Sequence, residues 1–299
     1  MAKTVRTWKS GDLFEVPARG KLAQLATSYL DHDVAFEPVV PKLAATVMLV
    51  RDADFSAESR YRSGNPSALE VFMLRRAKTM AFVPDAVVFP GGSVDVRDSD
   101  PGLPWAGPSP ETWAQRMGCD VATARRIVVA AAREVFEECG VLLAGADGAS
   151  VIEDMTDPLW DEERARLTDH VESFAEMMIR RNLVLRTDLL GVRSRWMTPE
   201  FEPRRYDTFF FSALLPKGQT PDDRTSEATV ADWVDPVWLF DQAEKGTALL
   251  VPPTRYNLSF VASACRAEAF VAEAPLIERI MLQPVRSGSE EVVLRCQIP

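Results

Sequence analysis

Nine consecutive residues, Arg133-Glu134-Val135-Phe136-Glu137-Glu138-Cys139-Gly140-Val141, hold three carboxylates within five positions. A helix turns about 100° per residue, so positions i, i+3 and i+4 are neighbours on its surface. Glu134, Glu137 and Glu138 therefore fall within an arc of about 100°. Val128, Ala132, Val135, Phe136 and Cys139 fall on a different face, which would pack inward. Two readings answer to such a patch. It is a solvated helix face, where Glu134–Glu138 repulsion of a few tenths of a kcal/mol is offset by Arg133–Glu137 attraction at i, i+4. Otherwise it holds a cation. Nitrogen and sulfur donors are scarce, because the chain has two histidines, His32 and His170, and four cysteines with no CxxC pair. Metal chemistry would rest on carboxylate oxygens, which favours Mg²⁺ or Mn²⁺. Neither histidine sits in a recognisable nucleophile setting.

The helix that must carry these side chains begins at Asp120, a fitting N-cap, and runs through VATARRIVVAAAREVFEEC to Gly140, the expected left-handed C′ residue. KLAATVMLV (42–50) and ALEVFMLRRA (68–77) are short apolar runs of strand type. DAVVFPGG (85–92) is a brief strand entering a Pro-Gly-Gly turn. Beyond it, Pro101, Pro104, Pro108 and Pro110 forbid a regular element, so this segment reads as a loop bordering the site. Residues 158–181 have helical spacing, and LLGVRSRWM, YDTFFFSALLP and TVADWVDP read as three more strands. From about Pro236 the tail reads as mainly helical. The whole chain, 1–299, reads as one α/β domain with a mixed central sheet flanked by helices.

The chain has 299 residues, 46% of them hydrophobic, and a formal net charge of −10. That acidity argues against a nucleic-acid binder, which carries a basic face. The start, MAKTVRTWKSGDLF, lacks the apolar run of a signal peptide, and no apolar stretch is long enough to span a membrane. The ending CQIP is no peroxisomal tripeptide, so a cytoplasmic location is expected. A homodimer is compatible with the sequence.

Gly91-Gly92 ahead of the acidic helix, and the helix ending in Gly140-Val141, together resemble the signature of the Nudix hydrolases, G-x5-E-x7-R-E-U-x-E-E-x-G-U, where U is a bulky aliphatic residue. Residues 133–141 match its second half at every specified position. The first half departs from it. Counting from Gly92, Asp98 stands where the signature has glutamate, with Asp95 on the same loop. Between Asp98 and Arg133 lie 34 residues in place of seven, an insertion of 27 at about 99–125. A box split in this way is similar to that of the peroxisomal-type coenzyme A diphosphatases of animals and their bacterial relatives. The likeness spans about 40–260, including EVFMLRRAKTMAFVPDAVVFPGG and SRWMTPEFEPRRYDTFFFSALLP. The basic motif usual in coenzyme A-specific members is only partial here.

The resemblance implies a Nudix α+β sandwich with a core at about 40–260 and a helical extension at 236–299. It implies metal ligation by Glu134, Glu137 and Glu138, completed by the backbone of Gly91 or Gly92, with Arg133 orienting a glutamate. The general base is Glu227 or one of the box glutamates. Substrate phosphates would meet Arg75, Arg76, Lys78, Arg204 or Arg205, of which strand alternation allows one of each adjacent pair to face the site. Phe82, Trp105, Trp113 and Tyr206 are candidates to stack on adenine, with the core the first expectation for any single one of them. The implied partner is a small nucleoside diphosphate derivative, coenzyme A or acyl-coenzyme A ahead of NADH, ADP-ribose or a nucleotide sugar. A module that keeps the fold and has lost catalysis is the reading from another class.

Overall fold

The structure, a computed structural model, describes residues 5–31, 37–56, 61–77, 84–222, 224, 228–288 and 291–299. The chain begins with β1 (Leu13–Pro17) and α1 (Gly20–Leu30), followed by β2 (Lys42–Asp52) and β3 (Leu69–Arg76). Next come β4 (Val87–Val88), β5 (Gly91–Ser93), β6 (Trp105–Ala106) and α2 (Pro110–Met117), then the long helix α3 (Val121–Cys139). β7 (Ala144–Gly145), α4 (Leu159–Thr168), α5 (Phe174–Arg180) and β8 (Val184–Arg186) lead to β9 (Leu190–Met197) and β10 (Tyr206–Leu214). β11 (Ala228–Val234), α6 (Pro236–Glu244), α7 (Pro252–Ser263) and α8 (Ala267–Ala272) follow. β12 (Arg279–Met281), β13 (Gln283–Ser287) and β14 (Glu291–Gln297) close the chain.

The central mixed sheet has the order β11-β3-β2-β10-β9-β12, with β10 parallel to β2 and antiparallel to β9. Side chains alternate across a strand, and here both faces are buried. Ala45, Val47 and Leu49 of β2 join Phe72, Leu74, Phe209 and Phe211 beneath α3 and α2. Met48 and Val50 join Val71, Met73 and Phe210 on the opposite face, against α7 and α8. This explains why β2 reads as a nearly unbroken apolar run. α3 is capped as its sequence predicts, with Asp120 accepting from the Thr123 amide at 2.9 Å and Gly140 in the left-handed region at φ 68°.

β2 and β3 pair directly only over Val50–Asp52 and Leu69–Val71, and beyond that they diverge. Residues 87–93 fill the fork. Val87 and Val88 pair with Arg75 and Leu74 of β3, while Gly91, Gly92 and Ser93 pair with Thr46, Ala45 and Ala44 of β2. The Pro90 carbonyl accepts from the Val47 amide at 2.8 Å, so the Pro-Gly-Gly turn is locked into the sheet.

Two sequence expectations change. The proline-rich segment is no loop at the rim. Ser109 caps α2 and Pro110 occupies its first turn, where a missing N–H costs nothing. Trp113 and Met117 are fully buried, and Trp113 packs on Phe211 with centroids 6.0 Å apart. The tail is not helical to its end. β12 extends the central sheet beside β9, and β13, β14 and β1 form a separate antiparallel sheet. The period-two series Val292, Leu294, Cys296, Ile298 carried that signal.

Candidate active site

The fork places the glycine turn beneath the acidic face of α3. The Gly91 amide donates to Glu138 Oε2 at 2.8 Å. At Gly92 the backbone lies so close to Glu134 that a Cβ there would stand 2.7 Å from both carboxylate oxygens. Only glycine allows that approach. Arg133 reaches across the same ground. Its Nη1 donates to Glu134 Oε1 at 2.7 Å and to Glu137 Oε2 at 3.0 Å, and its Nη2 donates to the Ser93 carbonyl at 2.9 Å.

Asp98 completes the cluster from 35 residues away, accepting from Arg133 Nε at 2.9 Å and Nη2 at 3.1 Å. It is 2% exposed and sits in a single 3₁₀ turn, Val96–Ser99, where it accepts from the Asp95 amide at 2.8 Å. The insertion thus leaves the shorter carboxylate able to grip Arg133. Spacing along the chain marks the position of Asp98 but not this contact. Asp95, outside the sequence-predicted set, caps the turn through the Arg97 amide and binds the Arg97 guanidinium. Arg97 also contacts His170 Nδ1 at 2.7 Å, linking the turn to the segment before α5.

Most of the acidic face is withdrawn from water, with Glu137 its partly exposed member. Glu134 is 7% exposed and Glu138 is 9% exposed. Burial pushes the Glu134 carboxyl up to about 7 against the pull of Arg133, with Glu137 and Asp98 adding to the rise. Glu137 is also raised, first by burial. Burial alone would lower the Arg133 guanidinium, but the hydrogen bond to Asp98 and the surrounding carboxylates raise it, so it stays charged. One guanidinium faces three carboxylates, those of Asp98, Glu134 and Glu137.

The family model of the NUDT19 Nudix domain matches this chain over residues 104–261, more than half its length and the whole of α3. The chain belongs to this Nudix family. Nudix hydrolase 7 of Caenorhabditis elegans is 27% identical over 228 residues, covering 76% of this chain and 67% of that protein. Acyl-coenzyme A diphosphatase NUDT19 of Xenopus laevis is 26% identical, over 66% of this chain and 61% of the relative's length. The present chain therefore spans about three-fifths of that vertebrate relative. A crystal structure of a Nudix hydrolase from Alicyclobacillus acidocaldarius superposes with a TM-score of 0.61 at 25% identity, covering 81% of this chain and 99% of the other. The protein is a Nudix hydrolase with the α/β fold of that family.

Nudix hydrolases generally use divalent ions, and the donor chemistry here fits one. Glu134, Glu137, Glu138 and Asp98 supply the hard oxygen donors that such ions take. Among the described residues, however, no three His, Cys, Asp or Glu side chains converge as a ligand group. Arg133 lies between Glu134 and Glu137, bonded to both. The cleft beside Asp98, Arg133 and Glu137 is narrow, about 10 Å³. A larger cavity of about 360 Å³, between the N-terminal segment and α6–α7, includes none of these carboxylates.

The remaining candidates separate. Arg75 is held bidentately by Asp85, at 2.8 and 3.2 Å. Arg205 is buried and donates to the carbonyls of Val39 and Thr198, which removes it from the phosphate-binding candidates. Arg204 is exposed. Arg76 shares its strand face with Phe72 and Leu74, the α3 side of the sheet, and its buried Nε has no hydrogen-bond partner among the described residues. Trp113 is lost to the core, whereas Trp105 and Tyr206 are half-buried. Lys78, Phe82 and Glu227 lie outside the described residues. Among the described residues no helix is long and apolar enough to cross a membrane.

Proposed function

We propose that this Nudix hydrolase is a divalent-metal-dependent diphosphatase that cleaves coenzyme A or acyl-coenzyme A into 3′,5′-ADP and (acyl-)4′-phosphopantetheine. Water adds to one phosphorus of the diphosphate, and the bond from that phosphorus to the bridging oxygen breaks. Mg²⁺ or Mn²⁺ held by Glu134, Glu137 and Glu138 would activate that water and neutralise charge building on the phosphoryl oxygens. Arg133, fixed by Asp98, orients Glu134 and Glu137. The Gly91 amide holds Glu138, and the bare Cα of Gly92 leaves room for Glu134. Glu227, next in sequence before β11, is our choice for the base that takes the water proton. The four free cysteines suit a reducing compartment, and we place the reaction in the cytoplasm.

Arg76 carries the coenzyme A reading. It faces the α3 side of the sheet with a buried guanidinium nitrogen unpartnered among the described residues, which suits it to an anion supplied by substrate. The name of the Xenopus relative points to the same substrate class. Coenzyme A differs from dephospho-coenzyme A by its 3′-phosphate alone. A charge-assisted contact is worth about 1.5–3 kcal/mol, or roughly 10- to 150-fold in kcat/KM. We expect that preference in the unmodified protein, and its loss in Arg76→Ala. Equal cleavage of both substrates by the unmodified protein would transfer the assignment to NADH, ADP-ribose or another nucleoside diphosphate derivative.

A further inference from the structure

The last turn of α3 carries Glu137 and Glu138, yet an α-helix leaves its final carbonyls without internal partners. Two residues remote in sequence satisfy two of them here. Arg164 of α4 donates from Nε to the Glu137 carbonyl at 2.6 Å, and the Asp222 amide donates to the Cys139 carbonyl at 3.0 Å. The two side chains then close on each other, with Arg164 Nη1 2.6 Å from Asp222 Oδ1. A guanidinium at this end also complements the negative pole of the helix. Arg224 extends the brace, binding Asp222 Oδ2 at 2.7 Å and Asp161 of α4 at 2.5 Å.

Stability alone is a poor account of this arrangement. Arg164 is 7% exposed, and its Nη2 has no hydrogen-bond partner among the described residues. Asp222 is partly exposed, and an ion pair with one partner open to water adds little stability. What the pair supplies is geometry. It ties α4 and the segment around Asp222 to the one helical turn that bears two of the three box glutamates. At Gly140 a Cβ would already meet Asp222 Oδ2 at 3.2 Å and Arg164 Nη1 at 3.3 Å, so the brace lies directly against the helix end.

We propose that Arg164 and Asp222 are positioning residues that set the last turn of α3 and thereby the placement of Glu137 and Glu138 for divalent-ion binding. The inference rests on the metal reading of the box. Outer groups that orient ligands typically change metal affinity by about 10- to 100-fold when removed.

Mn²⁺ binding to the purified full chain, titrated by electron paramagnetic resonance, tests this without turnover. Asp222→Asn and Arg164→Lys should each weaken Mn²⁺ affinity by about 10-fold or more. At saturating Mn²⁺ the KM for substrate should stay within about twofold, since neither residue is assigned to substrate. The double variant Arg164→Met with Asp222→Leu guards against a folding artefact. It should retain the unmodified urea midpoint and still bind Mn²⁺ weakly. Unchanged Mn²⁺ affinity in these variants, with Glu137→Gln impaired, overturns the brace alone. Unchanged affinity in Glu137→Gln as well overturns the metal reading, and the brace with it.

Discussion

Replacing Gly92 with alanine isolates the placement of one carboxylate. The added methyl would stand 2.7 Å from both Glu134 oxygens and 2.8 Å from Cδ, whereas ordinary contact begins at 3.4 Å. The carboxylate must therefore retreat by at least about 0.7 Å, and misplacement on the scale of 1 Å can cost about 100-fold in rate. The methyl has no backbone neighbour among its three nearest atoms, so the fold should tolerate it. Gly91→Ala is the control, because its methyl would run into the Ala45 carbonyl oxygen and stand 2.6 Å from Thr46 Cα. Strand backbone cannot swing aside as a side chain can, so Gly91→Ala should lose about 1–3 kcal/mol of stability. We expect Gly92→Ala to keep the urea midpoint while kcat/KM with Mn²⁺ falls by about 100-fold. Unimpaired turnover in Gly92→Ala would refute a role for Glu134 placement. A loss of stability equal to that of Gly91→Ala would refute the claim that only a side chain moves.

Three further expectations follow from burial and charge. Glu137→Gln and Glu138→Gln should each lower kcat by about 10²–10³ with circular dichroism unchanged, and near-normal turnover in both would remove them from the mechanism. Trp113→Ala should cost about 3–5 kcal/mol by urea titration, and a loss below 1 kcal/mol would return the insertion to the surface. Burial raises the Cys296 thiol from 9.0 to about 11 and the Tyr256 hydroxyl from 10.0 to about 12, the latter opposed by Arg193. The folded state holds these protons longer than the unfolded state, so their stabilisation is complete below pH 9 and lost as pH rises toward about 12. The urea midpoint should fall across that window, less steeply in Cys296→Ala, and an identical slope in that variant would exclude the thiol.

The box helix was legible in the sequence because its determinants are local. Asp120 and Thr123, Phe136 and Gly140, and the i, i+3, i+4 spacing of the glutamates act within about one turn, where chain connectivity supplies the proximity. β2, β3, β9, β10 and β11 were legible for a similar reason, since apolar runs of strand length must be buried. The C-terminal strands carried a period-two signal that helical expectation obscured. In the proline-rich segment, Ser109 and Pro110 formed a readable helix start, but the burial of Trp113 depended on the remote Phe211.

How the glutamates are held depends on contacts between segments remote in sequence. Asp98 and Arg133 are 35 positions apart, and their contact depends on residues 87–93 entering the fork between β2 and β3. That same wedge sets Gly91 and Gly92 against Glu138 and Glu134, burying two carboxylates that helical geometry alone would leave exposed. Arg205 and Arg76 look equivalent in one dimension, yet one is enclosed by carbonyls and the other has an unpartnered nitrogen among the described residues. Residue type and spacing determine which chemistry is available. Which oxygen meets which nitrogen depends on desolvation and packing between segments whose separation along the chain carries no record of their distance in space.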